Sequence, residues 1–131
     1  MTFTIEDALP SCVSAVDIAP APDGRKEITA ECLFPATFPG FQGHFPKRPL
    51  LPGIIQLVSV RNIVEQATGR NLTVKRYTGT KFKLPIEPGQ QISVQITIEP
   101  SPHAIQGKFK IRSTAKKIIS SGSFSFSLQE E

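Results

Sequence analysis

Hydrophobic and polar positions alternate along most of this chain, and one stretch breaks the rule. Ile92, Val94, Ile96 and Ile98 alternate with Ser93, Gln95 and Thr97, a period of two that predicts a half-buried strand. Ile105, Gly107, Phe109 and Ile111 do the same, with Lys108 and Lys110 facing outward. Ile28, Ala30, Cys32 and Phe34 alternate with Thr29, Glu31 and Leu33, and Pro35 ends that run. Val13 to Ile18 reads as a shorter strand, followed by a turn at Pro20-Ala21-Pro22-Asp23-Gly24. Leu72 to Tyr77 and Lys81 to Leu84 read as strands flanking Gly79. Ile119 to Leu128 is the last strand, with a change of face or a bulge expected near Gly122.

The exception is Pro52 to Thr68. Ile54, Ile55, Leu57, Val58, Val60, Ile63, Val64 and Ala67 spread around most of a helical circumference. Pro52 suits a helix start, and Gly69 suits a left-handed cap. Such a helix is expected to be buried on several sides. Gln56, Ser59, Asn62 and Gln66 form one polar stripe on it, and Arg61 and Glu65 form an i, i+4 pair. A single helical turn is expected from Thr4 to Leu9, ended by Pro10. One long apolar helix among five or six antiparallel strands predicts an α+β fold, a curled antiparallel sheet wrapped around the helix. The whole chain, 1–131, is read as one domain.

Composition narrows the function. No apolar run approaches the ~20 residues of a spanning helix. The N-terminal residues are acidic and lack the basic-then-apolar order of a signal peptide. Cys12 and Cys32, without a CxxC, are expected to be reduced thiols of a cytoplasmic protein. Two histidines are too few for a multi-histidine metal site. Residues 1–40 hold two basic and six acidic residues, and residues 41–131 hold thirteen and five. The later part could therefore meet an acidic partner, while its phenylalanines suit a core or tunnel wall better than nucleic-acid stacking.

Seven of the fifteen residues from Pro39 to Gly53 are Pro or Gly, interleaved with Phe41, His44, Phe45, Leu50 and Leu51. A stiff loop therefore carries a histidine to the start of the apolar helix. The first-turn N–H groups of that helix present the positive end of its dipole, and Gly53 leaves its own N–H unobstructed. A base and a carbonyl-polarising donor are the parts an enolate-type mechanism needs.

The run Gly43-His44-Phe45-Pro46-Lys47-Arg48-Pro49-Leu50-Leu51-Pro52-Gly53-Ile54-Ile55-Gln56-Leu57 resembles the hot-dog-fold 3-hydroxyacyl-acyl-carrier-protein dehydratases of the FabZ/FabA type. Pro-Gly-Ile-Ile-Gln-Leu is most similar to the ApeI-type branch. Lys81-Phe82-Lys83-Leu84-Pro85-Ile86-Glu87-Pro88-Gly89 is similar to a second family segment. The resemblance implies that His44 takes the α-proton of a 3-hydroxyacyl thioester and that the Gly53 N–H holds the thioester oxygen. Phe45, Pro46 and Val58 would line the substrate tunnel. The partner implied is an acyl-carrier protein bearing a phosphopantetheine-linked acyl chain, docked through Lys47, Arg48, Arg76, Lys81 and Lys83. It also implies a homodimer, or a heterodimer with a homologue, with the histidine loop of one chain meeting the helix of the other. No metal or organic cofactor is implied, nor nucleic acid or membrane.

One position departs from the family pattern. The family places an Asp or Glu five residues after this glycine to protonate the departing hydroxyl, and here that position is Val58. Loss of a general acid commonly costs about 10²–10⁴ in rate. Glu65 lies within about 20° of Val58 around the helix but about 10 Å further along it. Glu31 or Asp17 could approach from a strand. Three readings follow: a dehydratase of fatty-acid or polyene-type biosynthesis, a hot-dog thioesterase, and a non-catalytic subunit that binds the acyl chain or its carrier.

Overall fold

Buried side chains recur at every second residue in the segments around Ile28–Cys32, Ile92–Ile98 and Ile105–Ile111, which gives the sheet one apolar face. The computed structural model describes residues 5–41 and 50–129. Six strands, β1 (Val13–Pro20), β2 (Lys26–Leu33), β3 (Leu72–Phe82), β4 (Gln91–Pro100), β5 (Ala104–Ser113) and β6 (Ile118–Leu128), pair antiparallel in the order β1-β2-β4-β5-β6-β3. Ile28, Ala30 and Cys32 on β2 face the same core as Ile92, Val94, Ile96 and Ile98 on β4 and Ile105, Phe109 and Ile111 on β5. The long helix α2 (Gly53–Thr68) packs into that face through Ile55, Val60, Ile63 and Val64. It closes on Gly69 at φ 70°, whose N–H donates to the Glu65 carbonyl at 2.8 Å, the left-handed cap that the sequence predicts.

Two glycine–aromatic pairs lie across β5 and β6. Gly107 lies opposite Phe124, and Phe109 lies opposite Gly122. A Cβ on Gly107 would come within 2.8 Å of Phe124 Cζ, and one on Gly122 within 2.9 Å of Phe109 Cε1. Each ring thus occupies the space a neighbouring side chain would need. Tyr77 meets Phe109, Phe124 and Phe126 edge-on from β3, and Phe124 stacks on Phe126 at 4.3 Å.

Several expectations are corrected. The first helix, α1 (Ile5–Cys12), runs through Pro10 and does not stop at it. Burial of Leu9 and Cys12 outweighs the roughly 3 kcal/mol that an interior proline costs. Leu72–Phe82 is one strand, not two. Gly79 at φ 61° sits in a bulge against β6, so the chain absorbs an extra residue without turning. The irregularity expected near Gly122 lies in the pairing with β3, between Thr78–Ser123 and Lys81–Ser121, and a second register shift, of β6 against β5, falls at Ile119. The helix is buried over about half its circumference, through Ile55, Gln56, Ser59, Val60, Ile63 and Val64, and among the described residues its other side is more open. Ile54 is 64% exposed, and Leu57 and Val58 are half-buried. The helix is too short to span a membrane, and no other helix among the described residues is long and apolar enough to do so.

Candidate active site

The N-terminus of α2 is where the two sequence motifs meet. Pro52, at φ −61° and ψ 147°, turns the chain into the helix. Its carbonyl accepts from the N–H groups of Ile55 and Gln56 at 3.1 and 3.4 Å. The helical ladder therefore starts at Ile55, and the N–H groups of Gly53 and Ile54 lie ahead of it. Just upstream, the Leu51 N–H donates to the Ile86 carbonyl at 2.9 Å, and Ile86 is fully buried. That bond joins the segment entering the helix to the Pro85–Gly89 turn. The turn is in turn fastened to the end of β2 by Gly89 N–H donating to the Phe34 carbonyl at 2.7 Å.

Phe82, at the end of β3, completes the corner. A Cβ on Gly53 would lie 2.7 Å from Phe82 Cζ and 3.0 Å from two more ring carbons. The ring therefore rests on the Cα of the residue that begins the helix, while half of its surface stays exposed. Phe41, by contrast, is core: it is buried edge-on to Phe38, which is itself edge-on to Phe34.

Further down the helix each polar candidate has a defined setting. Ser59 is buried and donates to the Ile55 carbonyl at 2.8 Å. Gln66 Nε2 donates to Asn62 Oδ1 at 2.9 Å. Ser59, Asn62 and Gln66 thus bond within the helix, and not to the surrounding sheet. Gln56 is 3% exposed and its Oε1 accepts nothing, but it lies about 160° around the helix from Val58 and faces a different side. Glu65 Oε2 accepts from the Leu72 N–H at 2.9 Å, which fixes that carboxylate at the start of β3. Glu31 faces away from the helix, as the residue beside buried Cys32, and accepts from Gln91 Nε2 at 3.1 Å. Asp17 is exposed on β1. No carboxylate among these reaches the turn of Val58, and Val58 itself is half-buried against the core.

Tyr77 escapes a reading of the sequence by period. Its hydroxyl donates to the Leu57 carbonyl at 2.7 Å, across twenty residues, beside Val58. Burial pushes its phenol well above the ordinary value of 10.0, so it serves as a fixed donor near neutral pH. Cys12 and Cys32 are buried free thiols. Burial pushes Cys32 up to about 12, which keeps it protonated and poor as a nucleophile.

The remaining predicted residues divide plainly. His44, Phe45, Pro46, Lys47 and Arg48 lie outside the described residues. Gly53 and Val58 lie on the same helix, five residues apart. Arg76 and Lys81 are exposed on β3, opposite Ser125 and Ser121, and Lys83 follows the strand end. Lys83 and Leu84 donate their N–H groups to the Ile119 carbonyl at 2.8 and 3.2 Å, so the chain stays pinned to β6 past Phe82.

A curled six-stranded antiparallel sheet around one helix, with the helix N-terminus at a Pro-Gly step, defines a hot-dog protein. A family model described as ApeI-like, ApeI dehydratase, matches residues 21–123, and the chain belongs to that family. It is 34% identical to a 3-hydroxyacyl-[acyl-carrier-protein] dehydratase FabZ of Burkholderia lata over 88 residues, which covers 60% of this chain and 55% of the relative. It is 32% identical to the enzyme of the same name from Variovorax paradoxus over 97 residues, 66% of this chain and 64% of the relative. The chain thus spans between half and two thirds of the length of these relatives. Among solved structures, a putative thioesterase yhdA from Lactococcus lactis superposes with a TM-score of 0.76 at 10% identity, covering 98% of this chain and 99% of that one. The dehydratase heterocomplex ApeI:P from Xenorhabdus doucetiae superposes with a TM-score of 0.64 at 22% identity, covering 83% of this chain and 98% of the other. Both likenesses establish the fold.

Proposed function

We propose that this chain binds a 3-hydroxyacyl thioester carried by an acyl-carrier protein and acts in its dehydration. The observation that carries the reading is the convergence of the two family motifs at Gly53, through the Leu51–Ile86 hydrogen bond and the Phe82 ring. In this reading His44 removes the α-proton. The electron pair moves onto the thioester oxygen, which the Gly53 N–H and the helix dipole stabilise. The pair then returns to expel the β-hydroxyl, which must leave with a proton as water. Val58 cannot supply that proton.

The acid must therefore come from elsewhere. The side of α2 carrying Ile54, Leu57 and Val58 is incompletely covered, and a second chain laid there would complete the site. That the similar Xenorhabdus structure is a dehydratase heterocomplex supports a different protein as that second chain. A second reading follows from Val58 itself: alone, this chain holds the acyl carrier without turning it over, and a partner supplies the acid. Arg76, Lys81 and Lys83, with Lys47 and Arg48, supply the carrier contact in both readings.

One assay separates these outcomes. The protein is incubated with a 3-hydroxyacyl carrier, and the carrier is read by mass spectrometry. Loss of one water supports dehydration, a free carrier thiol supports thioester hydrolysis, and an unchanged but retained carrier supports the binding subunit. His44→Ala tests the base: undiminished turnover removes it from the mechanism. Val58→Glu tests the missing acid, with a gain of about 10²-fold or more expected if the valine is the only defect.

A further inference from the structure

The far end of α2 opens onto a cavity of about 270 Å³. It lies beside Ala67 and Thr68, in the last turn of the helix. At 1.5 Å per residue, Ala67 is about 21 Å along the helix from Gly53. The floor is apolar: Ile98 and Ile105 are buried, and Ile18, Ala67 and Leu128 are half-buried around them. The rim is cationic. Lys26 and Arg70 are its only charged residues, and no acid lines it.

Lys26 stands at an unusual place for a lysine. It begins the row Lys26, Ile28, Ala30 and Cys32, whose other members are buried, and it lies opposite buried Ile98. The register therefore puts it on the core face of the sheet, at the open end. Arg70 follows the Gly69 cap on the other side. Neither cation takes part in an ion pair or a side-chain hydrogen bond among the described residues. The other polar groups of the lining are occupied. Thr68 Oγ1 donates to the Val64 carbonyl at 2.7 Å, and Ser101 Oγ to the Ala104 carbonyl at 3.1 Å. The negative end of the α2 dipole, about half a charge, is outweighed by the two cations.

An apolar floor under two unpaired cations matches a ligand with an apolar body and one anionic end. The volume is at the lower end of small-molecule sites, which suits about eight to ten heavy atoms. With the hydroxyls occupied, the rim offers charge but no further donors for the additional oxygens of a phosphate. We propose that this cavity binds a medium-chain aliphatic carboxylate, its chain over Ile98 and Ile105 and its carboxylate between Lys26 and Arg70. The site is separate from the helix start at Gly53 and does not depend on the dehydratase reading.

The test titrates octanoate into the intact chain by calorimetry, with 1-octanol as the same chain without charge and acetate as the same head without a chain. A Kd of about 1 mM or tighter is expected for octanoate, with both comparison ligands weaker. Lys26→Gln with Arg70→Gln should weaken octanoate at least about fivefold and leave octanol within about twofold. Lys108→Gln with Lys110→Gln, the same charge change on the outer face, should alter octanoate binding less than about twofold. Ala67→Leu places a larger side chain in the cavity and should weaken octanoate and octanol at least about tenfold. Amide shifts on adding octanoate should centre on Ala67–Arg70. The proposal is overturned by octanoate binding weaker than about 10 mM, by equal losses in the two charge pairs, by unchanged affinity in Ala67→Leu, or by shifts confined to Gly53–Leu57.

Discussion

Replacing Gly107 with alanine adds one methyl group and should be among the most damaging single changes in this protein. Gly107 sits mid-strand on β5, between Ile98 on β4 and Phe124 on β6. A Cβ there would collide with the Thr97 carbonyl oxygen and lie 2.8 Å from Phe124 Cζ and 3.3 Å from Ile98 Cα. Two of those three atoms are backbone in a neighbouring strand. They can retreat only by stretching the ladder between β4 and β5. Overpacking costs about 1–3 kcal/mol, and each weakened ladder bond adds about 1 kcal/mol. A loss of about 4 kcal/mol follows, and with a urea m-value of about 2 kcal/mol/M the midpoint falls by about 2 M. Gly69→Ala is the comparison: it meets nothing within 4 Å and carries only the strain of its φ of 70°. That strain is worth about 1–2 kcal/mol. Urea unfolding followed by circular dichroism measures both. If Gly107→Ala costs no more than Gly69→Ala, the close approach of β4 and β5 described above is wrong.

Other changes follow from the same geometry. The three atoms nearest the new methyl of Gly53→Ala all belong to the Phe82 ring, whose exposed half can swing away, so stability should change by less than about 1 kcal/mol. Turnover of a 3-hydroxyacyl thioester should nonetheless fall by about tenfold or more, and unchanged turnover would detach this helix end from the site. Tyr77→Phe removes the hydrogen bond to the Leu57 carbonyl and should cost about 1 kcal/mol, read as a lower melting temperature. Cys32 is raised from its ordinary 9.0 to about 12 by burial, with Cys12 and Glu31 adding to the effect. Its neutral form is favoured in the folded state, so its contribution to stability is fully present below pH 9 and is lost as pH rises from about 9 through about 12. Tyr77 acts in the same direction above pH 10, and the two together predict a steep alkaline loss of stability. Alkylation of the native protein at pH 8 should be far slower than that of a free thiol, and rapid labelling would contradict the burial of Cys12 and Cys32.

The conflict at Val58 shows why a site is more than its motif. Pro52, Gly53 and the Phe82 ring form an ordered helix start, while the position where the proposed dehydration needs an acid is apolar. Nearby polar groups do not substitute for it. Ser59 is turned onto its own helix, Glu65 holds the first residue of β3, and Gln56 faces a different side. In the proposed reading the missing acid comes to the side of α2 that the described residues leave partly open.

Periodicity determined much of this protein on its own. The alternation in β2, β4 and β5 is read correctly because each strand buries one face against one core, and that single constraint is written into every second residue. The left-handed cap at Gly69 is equally local, since glycine there satisfies a helix end whatever surrounds it. The start of the apolar helix at Gly53 is legible for the same reason, since Pro52-Gly53 before an apolar run is a local pattern too. Tertiary structure decided the rest. Pro10 stays within a helix because Leu9 and Cys12 are buried. Gly79 makes a bulge and not a turn because β6 continues to pair on both sides of it. Phe82 lies on Gly53, Tyr77 reaches Leu57, and Arg76 shares a face with Lys108 because strands far apart in the chain are neighbours in the sheet. Local patterns record what a residue's own segment must bury, but only the pairing of distant strands decides which side chains meet.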